Sequence, residues 1–499
     1  MIDPASHRQL FLDDSAVWKS HGIRRTLHQP DRWGPVIRPD RSRGETGSQS
    51  FSVPQWNPEK NLWEWWYWAH GPKEGSPCLY VTSEDGVHWD RPSLGVHQWR
   101  GSTDNNVAHP PGGDGPLYHV IRDEQEQNPS WRYKALFSFG PRRPAVSPDG
   151  IRWTMLEVPP IPSQDTSHFT FDETSGQYLA TVKHSTRWGR SVWLSTCREF
   201  GQFSKPELIL TTDEIDWENC RRRVREIVEN PVYLTPFIVD DNDYIAELYM
   251  MPILPYEGLY VGFPRIFNPF GAQPPPHMNF TRVTQTELAL SRDLYHWERV
   301  ADRAVFQPVQ PWDGVSYDTN QVAVCGRPVI RGEEIWIYYF ASRMPGGRED
   351  YEKYNGNREL FRLNIDPGVF DDASALCLAK LRRDGFVSMD AEEVGWIITE
   401  PFTWSGESLF VNADARWGEI HAEILDPERL PENPRGAVGP DTFDAMPGFV
   451  SYLGQTVPMT GDHRRHRLSW KDNAVPPTDR PVQIRFIMRQ ARLYSFWLE

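Results

Sequence analysis

Cysteine is scarce in this 499-residue chain, with five residues at positions 78, 197, 220, 325 and 377. No two have the Cys-x-x-Cys spacing and the number is odd, so neither a disulfide framework nor a zinc site is expected. Buried free thiols are expected instead. Long apolar runs are also missing: no stretch approaches the roughly 20 residues that span a bilayer. Met1-Ile2-Asp3-Pro4-Ala5-Ser6-His7 has neither the basic start nor the apolar centre of a secretory leader. As written, the chain is expected to be soluble and cytoplasmic, with no membrane partner; export would require a leader outside this sequence. Positive charge is in deficit, 53 Lys and Arg against 68 Asp and Glu, for a net charge of -15. Nucleic acid needs a basic field, so a nucleic-acid partner is excluded at this stage. The densest basic cluster, Arg221-Arg222-Arg223 with Arg225, is flanked by acids. No Gly-rich phosphate loop and no Gly-x-Ser-x-Gly elbow is present, which leaves nucleotide and serine-hydrolase chemistry without support. No His-x-His, His-x-x-x-His or His-Glu-x-x-His spacing joins histidines 28, 70, 109, 168 and 184, so no metal and no cofactor is expected. Helix signals are scarce as well, Asp213–Glu229 being the one candidate.

What the chain does have is punctuation and rings: 44 Pro, 36 Gly, 22 Trp and 13% aromatic residues. One motif recurs. Ser83-Glu84-Asp85-Gly86-Val87-His88-Trp89 returns as Ser147-Pro148-Asp149-Gly150-Ile151-Arg152-Trp153 and as Ser291-Arg292-Asp293-Leu294-Tyr295-His296-Trp297, with a looser copy at Ser195–Phe200. Each copy follows an apolar run of strand character. The pattern reads as a tight turn: the Asp side chain bonds backbone N–H groups further on, the Gly accepts positive φ, and the Trp anchors the next strand. The copies start at 83, 147, 195 and 291, stepping by 64, 48 and 96 residues. A turn at such intervals, with about four strands between copies, points to β-propeller blades.

The reading is therefore all-β: a five-bladed β-propeller over residues 1–390 followed by a β-sandwich over 391–499. Blades are expected to start near Gln49, Asn105, Asp165, Glu229 or Glu257, and Asp318. The segment 8–18 reads as one strand broken by Asp13-Asp14, and is expected to complete the last blade so that the ring has no open edge. Phe267–His277 is Pro-rich, too irregular for a strand, and a candidate active-site loop. Gly346–Gly356 is expected to be a polar loop. From about Glu392 the repeat stops and short alternating strands follow, the last of them Val482–Arg489 and Leu493–Leu498.

In a propeller the innermost strands start at the rim of a central funnel, so polar residues at those starts share a pocket. This selects Asp104, Asp165, Glu257 and Asp318 as candidate catalytic acids. A glycosidase needs two carboxyl groups facing across the scissile bond, one to protonate the leaving oxygen and one to activate water or attack the sugar. Asn105, Asn106, His109, His28, Asp14 and Tyr256 are the candidate sugar-binding residues. Asp85, Asp149, Asp293 and Asp172 are assigned to turns. A polysaccharide lyase using a His or Tyr base (His28, His109, Tyr256) on a uronate, and a carbohydrate-binding propeller without catalysis, are the two alternatives.

The layout resembles the five-bladed propeller glycoside hydrolases of families 32, 43 and 68. The resemblance to family 32-like bacterial proteins is carried by Leu10-Phe11-Leu12-Asp13-Asp14, Arg25-Thr26-Leu27-His28-Gln29-Pro30, Ser83–Pro92, Tyr256-Glu257-Gly258, Ser291–Arg299, Glu333–Tyr339, Arg383–Ser388 and Ala491–Phe496. It covers nearly the whole chain and implies hydrolysis of a glycosidic bond in an oligosaccharide or polysaccharide by a carboxylate pair in the central funnel. The nucleophile, Arg-Asp-Pro and Glu-Cys motifs of family 32 are not in the chain, so neither fructan specificity nor individual catalytic residues are carried over. Sugar, linkage and oligomeric state stay open at this point.

Overall fold

The computed structural model describes residues 2–71, 75–112, 115–234, 245–272, 280–344, 365–406, 408–429 and 445–499. The chain is mostly β, and among the described residues the α-helix Glu214–Glu229 is the only one. Asp213 caps it reciprocally with Asp216, which is why a polar, weakly periodic segment starts a helix there. No helix among the described residues is long and apolar enough to cross a membrane. All five cysteines are buried and free.

Most strands fall into five antiparallel groups taken in chain order. The first is Gly47–Gln49, Leu62–His70, Cys78–Ser83 and Val107–His109; the second Leu117–Arg122, Tyr133–Phe137, Arg143–Ser147 and Thr154–Met155. The third is Ser167–Asp172, Gln177–Thr186, Gly189–Cys197 and Glu207–Leu210. The strands of the fourth are interrupted part-way. Glu247–Met250 continues as Ile253–Tyr256, Leu259–Gly262 as Arg265–Ala272, and Phe280–Thr286 as Ala289–Ser291, before Glu298–Arg299. The fifth is Gln321–Val324, Glu334–Ser342, Ser374–Arg382 and Asp31–Ile37. Single parallel pairings, Thr284 with Gln321 and Ser374 with Gly47, tie the fourth group to the fifth and the fifth to the first.

The repeated turn joins the third strand to the fourth in groups one, two and four. Asp85 Oδ1 accepts from the N–H groups of Val87 and His88, both at 2.8 Å; Asp149 and Asp293 do the same two and three residues on. The Ser hydroxyl accepts from the residue with positive φ, Gly86, Gly150 or Leu294. The following Trp is half-buried rather than fully in the core. The turn is absent from group five because its outermost strand comes from the N-terminal part of the chain.

Three expectations are corrected. The segment 8–18 does not complete the fifth group; Asp31–Ile37 does. Gln9–Leu10 pairs with Pro481–Leu498, and Val17–His21 and Arg24–Leu27 pair with Val387–Thr399, because the apolar side chains of Leu10, Phe11 and Leu12 belong to the core of the C-terminal sheet. Phe267–Ala272 is not an irregular loop but lies in the strand Arg265–Ala272, where a register shift between Pro269 and Gly271 accommodates the proline; residues 273–277 and 346–356 lie outside the described residues. The short strands expected after 400 are merged. Leu409–Leu425 and Pro481–Leu498 are continuous, bent where the pairing slips between Asp414 and Glu419 and where Gln490 takes positive φ. The C-terminal sheet therefore draws strands from both ends of the chain. Its core is continuous with the fourth and fifth groups through Leu254, Phe263, Ile335 and Ile337.

Candidate active site

The starts of the inner strands meet at one end of an axis. Gln49, Trp68, Tyr118, Asp165, Thr166, Tyr249, Arg265, Arg282, Gln321 and Phe340, drawn from all five groups, line a hollow of about 260 Å³ with Phe51 and Phe139. The far ends of the same strands line a second hollow of about 280 Å³ that includes Ser52–Trp56, Ile121, Arg122, Thr170, Phe171 and Gly326–Ile330. Phe51 borders both and stacks on Tyr118 at 4.4 Å, closing the axis between them. His119, beneath, holds Phe51 O at 2.8 Å and Ser167 Oγ at 2.7 Å, and burial, with the His168 and Arg142 side chains nearby, lowers its pKa well below the usual histidine range.

Asp165 precedes the strand Ser167–Asp172 and is the one carboxylate among the described lining residues of the axial hollow. Burial would raise its pKa, but the Lys183 ammonium paired with it, the Tyr249 hydroxyl donating to Oδ2 at 3.0 Å and Arg190 together hold it below the usual carboxylate range. Burial lowers Lys183 to about 8 against the opposing pull of Asp165. The Lys183 ammonium also lies 4.0 Å over the Tyr249 ring, which stacks on Phe267 at 5.6 Å. Arg190 is taken up by Glu247, which also accepts from its backbone N–H at 2.9 Å. Arg142, fully buried beneath Tyr118, spends its donors on the carbonyls of Ser138, Gly140, Gln164 and Asp165 and on Ser167 Oγ; it shapes the Asp165 loop.

The remaining candidate residues lie elsewhere. Asp104, Asn105 and Asn106 border a separate hollow of about 240 Å³ with Arg43, Glu45 and Trp99. There Asn106 is buried, accepting from Arg43 Nη1 at 2.9 Å and donating to Tyr80 O at 2.9 Å, while Asn105 bonds His97 O, Ser102 O and Val107 N and shapes the turn. Burial raises the Glu45 carboxyl. His109 is 2.9 Å from Gly115 O. Asp318 is buried between Arg32 Nη1 at 3.2 Å and the Tyr339 hydroxyl at 3.4 Å. Glu257 accepts from Arg8 N at 3.0 Å and faces Arg383, and Tyr256 donates to Asp384; both sit where the fourth group meets the C-terminal sheet. His28 lies 2.7 Å from Ser388 Oγ in that sheet, and burial lowers its pKa. Asp14 is exposed and paired with Arg25. Of the four acids expected to converge, Asp165 alone lines the axial hollow. Glu257 and Asp318 are held by local cations and a phenol, and Asp104 is exposed in a turn where its backbone N–H donates to Ser102 Oγ, because Asp and Glu at strand starts and hairpins serve those structural needs too. Sequence reasoning missed Tyr118, Lys183, Tyr249, Arg265 and Gln321. A readable signal existed in Val261–Phe267, where Arg265 breaks an otherwise apolar run, a placement that burial makes costly without a purpose.

No family model matches the chain, and no curated protein matches it. Among solved structures it is similar to an N-acetylgalactosamine deacetylase from F. plautii, with 13% identity, TM-score 0.41, and coverage of 73% of this chain and 97% of that one. It is similar also to a Bombyx mori GH32 beta-fructofuranosidase, at 10% identity, TM-score 0.41 and 94% of both chains. The catalytic domain of a Coprinopsis cinerea GH62 alpha-L-arabinofuranosidase is similar at 12% identity and TM-score 0.40, over 71% of this chain and 98% of that one.

Proposed function

We propose that this chain is a glycosidase-type, carbohydrate-active enzyme, built as a five-bladed β-propeller with a C-terminal β-sandwich, that cleaves a glycosidic bond of an oligosaccharide or polysaccharide at the axial hollow. One observation carries the reading: strands from five groups far apart in sequence bring six aromatic rings and an ionised carboxylate, Asp165, to a single hollow of about 260 Å³. That volume lies just below the roughly 300–1,000 Å³ of sites for drug-sized ligands. It suits one sugar ring rather than a run of them, and therefore action at a chain end. Phe51, Trp68, Tyr118, Phe139, Tyr249 and Phe340 supply apolar faces for a pyranose; Gln49, Thr166 and Gln321 supply donors and acceptors for its hydroxyls.

Asp165, kept ionised by Lys183 and Tyr249, suits the member of a carboxyl pair that activates water or stabilises positive charge developing at the anomeric carbon. Replacing it with its amide keeps the shape and removes the charge. Asp165→Asn is expected to lower turnover of a cleavable glycan by at least a hundredfold while leaving sugar binding within a few-fold, read by product chromatography and calorimetric titration. Full turnover in that variant would remove Asp165 from the chemistry. An unsaturated product absorbing in the ultraviolet would replace hydrolysis by elimination.

A further inference from the structure

The buried arginines of this fold have partners of opposite charge, with few exceptions. Arg223 meets Glu287, Arg485 meets Glu423 and Arg122 meets Glu59. Arg142 lacks a carboxylate but has its donors met by carbonyls and a hydroxyl. Arg265 differs from all of them. It is 4% exposed, yet its Nε donates to Thr284 Oγ1 at 2.9 Å and its Nη2 to Gln321 Oε1 at 2.7 Å, both neutral, and its Nη1 has no acceptor among the described residues. Burial lowers its pKa to about 10, and the groups that act most on its charge after that are Tyr249, Arg282, Cys325 and Tyr118, none of them a carboxylate. A second guanidinium, Arg282, lines the same hollow. The two carboxylates nearby are already engaged, Asp165 by Lys183 and Glu247 by Arg190.

A guanidinium taken out of water without a counter-charge is strongly disfavoured unless something else supplies one. Here a cation with no carboxylate partner among the described residues borders a sugar-sized hollow in a chain whose overall charge is negative, so attraction over the whole molecule does not account for it. We propose that the sugar held in the axial hollow is anionic, a hexuronate whose carboxylate docks on Arg265 while its ring lies against the aromatic lining. This rests on the carbohydrate reading above and names its substrate class. The free Nη1 donor and the planar fork of arginine match a carboxylate. Thr284 and Gln321 fix the guanidinium plane so that little is left to order on binding.

Calorimetric titration of the whole chain with the methyl glycosides of galacturonic and glucuronic acid, their uncharged methyl esters, the neutral hexosides, the hexoside sulfate esters and acetate tests this. At least one uronate is expected to bind tenfold or more tightly than its own ester, with a preference that shrinks as salt is raised. Gln321→Glu places a carboxylate on Arg265 from within. That near-isosteric variant is expected to fold with an unchanged or higher melting midpoint and to bring the acid-to-ester ratio close to one. Equal binding of acid and ester in the parent, a preference that survives Gln321→Glu, or equal binding of the sulfate ester overturns the assignment while leaving a sugar site in place. Acetate binding as tightly as the uronate overturns it as a plain anion site. Binding of no sugar in either form overturns the carbohydrate reading with it.

Discussion

At the scale of single residues, the pair Asp165–Lys183 ties the hollow to pH. Lys183 loses its proton at about 8, well below the usual lysine range, because its ammonium is buried. Above that pH Asp165 remains a carboxylate but loses the ammonium that pairs with it and holds it in place. Turnover is expected to fall along an alkaline limb centred near pH 8, and Lys183→Arg, which stays charged, should move that limb upward; a limb that does not move would detach it from Lys183. The effect on folding has the opposite sign. Between about pH 8 and ~10.4 the unfolded chain binds this proton more tightly than the native one, so this group alone makes stability rise with pH in that window. A second residue carries stability without chemistry: Glu287, fully buried, bridges Arg223 and Arg299 under the helix. Glu287→Gln leaves two buried guanidinium groups short of charge and is expected to cost about 3–5 kcal/mol in denaturant unfolding. Asp165 was legible in the sequence because it is a polar residue at a strand start. Arg265 sits within a strand rather than at a strand start, and its one trace in the sequence is the break it makes in the apolar run Val261–Phe267.

At the scale of elements, the recurring turn is the most legible feature of the chain. Its Asp serves backbone N–H groups that a bend would otherwise leave without partners. Asp149→Ala is expected to lower stability by about 2 kcal/mol in chemical denaturation. Arg152→Ala, which removes only the exposed ion pair from the same turn, should change it by less than about 0.5 kcal/mol. If both cost the same, the backbone bonds are not what holds the turn. The turn located three of the five groups, and the looser copy at Ser195 a fourth. The fifth was assigned the wrong partner strand, since pairing between distant segments leaves no local trace: both 8–18 and Asp31–Ile37 have strand character, and only packing against Phe386 and the C-terminal sheet decides which goes where. The merged long strands were hidden for a related reason. Trp417-Gly418 and Gln490 look like turn residues but bend a strand that continues.

At the scale of the whole molecule, the shared core of the C-terminal sheet and the fourth and fifth groups makes separation costly. A chain ending at 386 would bare Leu254, Phe263, Ile335 and Ile337, and is expected to be recovered mainly as aggregate, measured as soluble yield and by size-exclusion chromatography. The full chain should melt in one calorimetric transition. The strand Asp31–Ile37 also has a history that the finished fold conceals. It leaves the ribosome early, but its partner Ser374–Arg382 is made 337 residues later (374 minus 37). At about 5–20 residues per second that is a wait of roughly 17–70 s. During that interval the nascent chain holds an unpaired edge, which makes the long stretch of translation between Ile37 and Ser374 the period when a chaperone has most to protect.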